Sequence, residues 1–189
     1  MNLPAHAPRA AHDLVTPPGG ARRAALRARL ATLRAACGRI PHSLVALLAR
    51  FSIAGVFWKS GQTKIEGFAV DLVDGEFTLG WPRLSDSAVA LFRDEYRLPL
   101  LDPQLAATLA ALGEHVLPVL LLLGLGTRFA ALGLLGMTAV IQVLVYPGAW
   151  PTHGVWAVVL LGLVAQGPGR LSLDHLLWRD GAPARRTPG

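Results

Sequence analysis

Apolar and polar positions segregate along this chain on the scale of whole helices. Between Leu105 and Tyr146 the sequence reads LAATLAALGEHVLPVLLLLGLGTRFAALGLLGMTAVIQVLVY, two apolar runs about the turn Gly124-Leu125-Gly126-Thr127-Arg128. Each run has about 20 residues, enough at ~1.5 Å per residue to cross ~30 Å of hydrocarbon. With two further runs, the pattern predicts spans at about 41–58, 104–123, 129–146 and 152–166. The last has only ~15 residues before Gly167-Pro168-Gly169, a thin-membrane length that relies on Trp150 and Arg170 as anchors. The expected fold is all-α, an integral membrane four-helix bundle with both termini on one side.

Shorter patterns flank these spans. Residues 1–20 are rich in Pro, Ala and Gly without apolar periodicity and read as a disordered tail. In 21–37, Leu26, Leu30, Leu33 and Cys37 form one stripe among arginines, predicting a short interfacial helix. Arginines interrupt this run too often for the core of a signal peptide. The chain thus divides into a basic tail (1–39), a membrane domain (40–177) and a C-terminal tail (178–189). In the outer segment, 60–103, Gly75, Gly80 and Pro82 argue for turns. Ser85 is a candidate N-cap for an amphipathic helix from Asp86 to about Tyr96. A further short helix is expected over Ser172–Trp178.

Charge fixes the orientation. Twelve of the 18 basic residues lie before the first span, in the 124–128 turn or after the last span. The segment between spans one and two carries eight acidic residues against five basic ones. The positive-inside rule then places both termini and Arg128 in the cytoplasm. A bilayer also suits the composition, 52% hydrophobic against 16% charged. The excess of base is accounted for by orientation, so nucleic-acid binding is not expected. The one cysteine, Cys37, excludes an intramolecular disulfide and a CxxC pair.

Chemistry centres on polar residues inside the spans. Glu114 lies about halfway along span two and Arg50 about halfway along span one, so an Arg50–Glu114 ion pair is expected near the midplane. That pair serves either to fix helix register or as a proton or ligand site. Pro118 removes the helical partner of the residue 114 carbonyl, which would leave a polar notch beside Glu114 and His115. His115 is a candidate relay or ligand-binding residue. It has no second histidine at helical spacing, and His153 falls in an outer turn, so no metal site is expected. Gln142 and Tyr146 share the outer half of span three and extend a candidate polar path. Gly61 would end or bend the first helix, letting Lys64 snorkel or turn inward over the bundle mouth.

The pattern Arg50-Phe51…Gly55…Ser60-Gly61-x-x-Lys64 resembles the first-span signature of the DoxX family. Glu114, Gly124 with Thr127-Arg128, and the closing Gly-Pro-Gly-Arg-x-Ser-x-Asp of 167–174 are similar to further features of that family. The resemblance implies a small four-helix protein of the bacterial inner membrane. It also implies an accessory role in quinone-linked or oxidative-stress redox systems, with electrons supplied by a partner protein and no intrinsic cofactor. Trp81, Leu91-Phe92, Glu95-Tyr96 and Pro99-Leu100-Leu101 resemble a branch encoded beside metal-stress peptides, which implies instead a scaffold or transport-assisting component. Expected partners are therefore the lipid bilayer, a redox or envelope-stress protein, and a second copy of the chain as an open alternative.

Overall fold

The computed structural model describes residues 18–71 and 75–178, and the chain divides into two units at Ile40/Pro41. The first unit holds helix α1, Pro18–Cys37, in which Leu26, Leu30 and Leu33 form an exposed apolar stripe. Of the tail expected to be disordered at 1–20, residues 18–20 form the first turn of α1, and Trp178 of the expected C-terminal tail ends the last helix; residues 1–17 and 179–189 lie outside the described residues.

The second unit is built on four long helices: α2 (His42–Gln62), α4 (Pro103–Leu123), α5 (Thr127–Val140) and α6 (Trp150–Gln166). Helix α5 continues as a π-helical turn over Ile141–Val145, and a 3₁₀ turn, Pro147–Ala149, leads into α6. With these turns, four segments are long and apolar enough to cross a membrane. Helices α2, α4, α5 and α6 pack in a closed ring, each against its two neighbours.

Small residues occupy the shared core: Ala46, Ala54, Ala130 and Ala131 are buried with Ile53, Phe57, Leu121, Leu134, Leu160 and Leu163. They bring the backbones close, which favours dispersion contact where no hydrophobic force joins helices in lipid. The larger apolar side chains point outward instead, among them Leu48, Phe51, Leu112, Phe129, Val143 and Val158. In water so large an apolar surface would aggregate. In a bilayer it is the solvated face, and this is a multi-pass membrane protein.

Three boundaries differ from the sequence reading. Helix α2 runs through Ser60-Gly61-Gln62 instead of ending at Gly61. Gly61 is helical, and its missing side chain serves close packing against α4 (below). The fourth span begins several residues early, because Pro147 and Pro151 each sit in a first helical turn, where proline loses no hydrogen bond. His153 is therefore inside α6 and buried, not in a turn.

The third difference is a β-hairpin where turns were expected. Strands β1 (Ile65–Asp71) and β2 (Glu76–Leu84) pair antiparallel, with Ile65 opposite Leu84 and Phe68 opposite Leu79. A bulge at Gly67 breaks the alternation that would have announced β1. Pro82 is tolerated in β2 because a two-stranded sheet consists of edges. After the hairpin, the Ser85 side chain caps α3 (Asp86–Leu91) by accepting from Ala88 N–H, as its sequence position predicts. A π-helical turn, Phe92–Tyr96, completes this element. Phe92 is buried there with Ala106 and Ala107 of α4, flanked by Val89 and Tyr96. Asp102 caps α4 by accepting from Gln104 and Leu105 N–H, and Pro103 fits its first turn. The last helix is α7, Leu173–Trp178.

Candidate functional site

Glu114 is buried in α4, and its partner is Lys64, not Arg50. Lys64 Nζ stands 2.7 Å from Glu114 Oε2, and both side chains are almost fully excluded from solvent. Lys64 reaches inward because its own chain holds it. Its N–H donates to Gly61 O (2.9 Å), its carbonyl accepts from Ser85 N–H (3.0 Å), and Nζ donates to Ser60 O (3.2 Å) and to Ser60 Oγ (3.1 Å).

The expected Arg50–Glu114 pair fails for a reason of register. Counting each span from its own end set Arg50 and Glu114 level. In the fold, Gly61 lies level with Glu114: a Cβ built on Gly61 would come within 3.0 Å of Glu114 Cβ and 2.8 Å of His115 Cε1. Arg50, three turns back along α2, is then displaced by ~16 Å from Glu114. The N-terminal turns of α4 project past the end of α2, and the hairpin and α3 cover them.

Arg50 instead clasps the opposite end of the bundle. Its guanidinium Nη1 donates to Leu121 O (3.1 Å) and Leu122 O (3.3 Å), and Nη2 donates to Leu171 O. It thereby adds donors to carbonyls in the last turn of α4, where the helix's own N–H groups run out. Gly124 ends that helix at φ 68°, and a Cβ there would meet Arg50 Nη1 at 2.4 Å and Ser172 Cβ at 2.5 Å. Only glycine fits this position on both counts.

His115 follows Glu114 in α4 and also packs on Gly61. Its Nδ1 donates to Ala111 O (2.7 Å), so Nε2 is the acceptor for Gln62 Nε2 at 2.8 Å. Gln62 Oε1 accepts from Val70 N–H (2.7 Å), and Trp58 Nε1 donates to Val70 O (2.9 Å). Trp58 also meets the His115 ring edge-on at 5.1 Å between centroids. His115 is thus part of the seam that fastens the hairpin to α2 and α4.

Gln142 and Tyr146 belong to separate contacts. Gln142 Oε1 accepts from His153 Nδ1 (2.8 Å), while its Nε2 donates to Pro147 O (2.7 Å), tying α5 to α6. The Tyr146 hydroxyl donates to Glu95, and the Tyr146 ring meets Tyr96 edge-on. The hydrogen bond to Glu95 pushes the Tyr146 phenol above its ordinary range, with burial adding to it. Burial, followed by the charge of Glu114, pushes Tyr96 up as well.

A cavity of about 300 Å³ joins two of these groups. It lies between α4 and α5 under the α3 extension, and Glu114 and Tyr96 both line it. The rest of the wall is apolar, including Leu109, Met137, Val140 and Ile141, and Gly136 leaves open space within it. Both π-helical turns contribute, through Phe92 and Tyr96 on one side and Ile141 and Val145 on the other. Such turns widen a helix locally and recur at functional sites. A buried carboxylate in an otherwise apolar cavity can accept a hydrogen bond from a ligand, or exchange a proton with it.

Ser60, Gln62, Tyr96 and His153 are the polar residues that sequence reasoning left out of the site. Only Ser60 had a local signal, lying one helical turn before Lys64. Among the described residues, no group of three or more His, Cys, Asp or Glu side chains stands together to hold a metal.

No curated protein and no solved structure matches this chain. The family model that does match, DoxX, covers residues 45–147 and so includes Arg50, Lys64, Glu114, His115, Gln142 and Tyr146, but stops before the 167–174 segment. With more than half of its length matched, the chain belongs to the DoxX family.

Proposed function

We propose that the cavity beside Glu114 receives the polar head of a quinone-class carrier from the lipid phase, and that the protein is an accessory subunit of a membrane redox system. One observation carries this reading. An apolar cavity, walled by two π-helical turns, has a single buried carboxylate in its lining. Its volume, about 300 Å³, lies at the lower end of the ~300–1,000 Å³ typical of ligand pockets, a fit for one substituted ring with its tail left in lipid. Exposed Leu101, Leu109 and Val140 at the wall supply an apolar approach for such a tail. The Glu114 carboxylate, in the cavity lining and paired with Lys64, is the acceptor for a ring hydroxyl. Lys64 stands beside it as a counter-charge. The bound group supplies the redox chemistry, and a partner protein supplies or removes its electrons.

In this reading the protein sits in the bacterial inner membrane with both termini cytoplasmic and the hairpin outside, in keeping with the distribution of arginines. The α1 stripe then lies on the cytoplasmic leaflet. The test is solvent extraction of quinone from protein purified in mild detergent, with Glu114→Gln and Gly136→Leu beside wild type. Gly136→Leu fills the cavity without touching the ion pair. Near-stoichiometric quinone in wild type, lost in Gly136→Leu and reduced in Glu114→Gln, is expected. Background quinone in all three overturns the reading.

A second reading rests on the hairpin. Phe77, Leu79 and Trp81 are all strongly exposed on β2, a surface suited to holding a partner in a non-enzymatic scaffold of an envelope-stress system. Replacing the three by Ser then abolishes partner capture while leaving quinone content unchanged.

A further inference from the structure

The end of the bundle opposite the hairpin holds a cleft of about 690 Å³, with charged side chains in its wall, that the proposed redox site does not use. It is lined from four directions: the start of α2 at His42 and Ser43, Arg128 at the start of α5, the loop from Gly167 to Arg170, and His175 with Asp174 on α7. We propose that this cleft binds the phosphate of an anionic phospholipid.

Charge is the first argument. Arg128 and Arg170 contribute two permanent positive charges, and His42 and His175 offer ring N–H donors. Asp174 would oppose an anion, but both of its oxygens are taken. Oδ1 accepts from Gly126 N–H (2.7 Å) and Oδ2 from Thr127 N–H (2.9 Å) at the start of α5. Its charge is thereby partly offset by the positive end of the helix it caps.

The second argument is that the cleft is built before any ligand arrives. Arg170 N–H donates to Ser43 Oγ (3.0 Å), and Ser172 Oγ donates to Gly169 O (2.8 Å). Gly169 packs so closely on α2 that a Cβ there would fall 2.8 Å from Ser43 Cα. The Arg128 guanidinium lies over Gly167, with Nη2 3.6 Å from where a Cβ would stand. Arg50, in turn, holds the carbonyl of Leu171. The loop between α6 and α7 is thus fastened to α2 and to itself, and Asp174 N–H donates to Gly124 O at the end of α4 (2.8 Å).

The third argument separates a lipid from a free phosphate. Leu44, Phe129 and Leu171 lie next in sequence to cleft residues and are strongly exposed, Phe129 at 83%. They belong to the apolar ends of spans and to the loop beside them, where acyl chains would run. A phosphate in the cleft with its chains on these side chains satisfies both surfaces at once. Basic pockets between membrane helices commonly hold lipid head groups in this way.

The test uses the full-length protein in a neutral detergent, with phosphatidylglycerol, phosphatidylcholine and inorganic phosphate as separate probes and binding read by native mass spectrometry and thermal shift. Each arginine is expected to contribute about five-fold to phosphatidylglycerol binding, so Arg128→Gln/Arg170→Gln should weaken it roughly 25-fold. Phosphatidylcholine binding should not change, and Arg128→Lys/Arg170→Lys should recover most of the loss. Removing two exposed charges elsewhere, Arg22→Gln/Arg23→Gln, should have little effect. Equal loss in that control would mean diffuse attraction to basic charge and overturn the site. Saturation by inorganic phosphate with no preference for the lipid would overturn its assignment to phospholipid. Either failure is independent of quinone content.

Discussion

Replacing Lys64 by Met should leave the Glu114 carboxylate buried without its counter-charge. Both side chains are more than nine-tenths buried, and the charged atoms are 2.7 Å apart. Removing one member of such a pair costs about 3–5 kcal/mol, most of it the desolvation of the charge left behind. Adding Glu114→Gln removes that stranded charge, so the double variant should recover a large part of the loss. The coupling between the two positions should reach ~2 kcal/mol or more, toward the upper end of what contacting residues show. Arg50 is the internal control. It binds carbonyls of Leu121, Leu122 and Leu171 about three helical turns from Glu114, so Arg50→Met and Glu114→Gln should add to within ~0.5 kcal/mol. The assay is reversible unfolding in mixed micelles with increasing sodium dodecyl sulfate, followed by helical circular dichroism for all single and double variants. Strong coupling of Glu114 to Arg50 with none to Lys64 would refute the register of α2 on α4, and with it the account of the site.

Two further predictions follow from neighbouring contacts. Gly61→Ala places a methyl against His115 and Glu114 at 2.8–3.0 Å, so it should destabilise the fold by about 1–3 kcal/mol in the same assay, whereas Gly55→Ala, with open space around it, should not. The chain's two tyrosines, Tyr96 and Tyr146, both have phenols raised above the ordinary value of ~10. Little phenolate absorbance should therefore develop at pH 10, and Glu95→Gln should bring one of the two titrations down. Because the folded values are raised, the linked stabilisation is complete below pH ~10 and is lost only as the pH climbs through the folded values. Half-ionisation of both residues at pH 10 would contradict the Tyr146–Glu95 contact.

The sequence by itself determined the elements whose signals are local. Four apolar runs specify four spanning helices, because a bilayer demands that backbone groups be satisfied within each segment. Ser85 and Gly124 mark a helix start and a helix end through their own side-chain or backbone chemistry, and the family signature was legible in Ser60-Gly61-x-x-Lys64, Glu114 and the 124–128 turn. Tertiary structure decided the rest. Which cation meets Glu114 depends on how far α2 slides along α4, and that offset is set by Gly61 packing on His115, a contact 54 residues apart that no spacing within either span encodes. The hairpin escaped because Gly67, Gly80 and Pro82 break strand alternation, while the bonds that hold it, from Trp58, Gln62 and Lys64, come from outside the strands. Glu114 hinted at a site, but the shape of the cavity had no signal in either span. It is the space left between α4, α5 and two π-helical turns, and a space between packed helices exists only once the helices have packed.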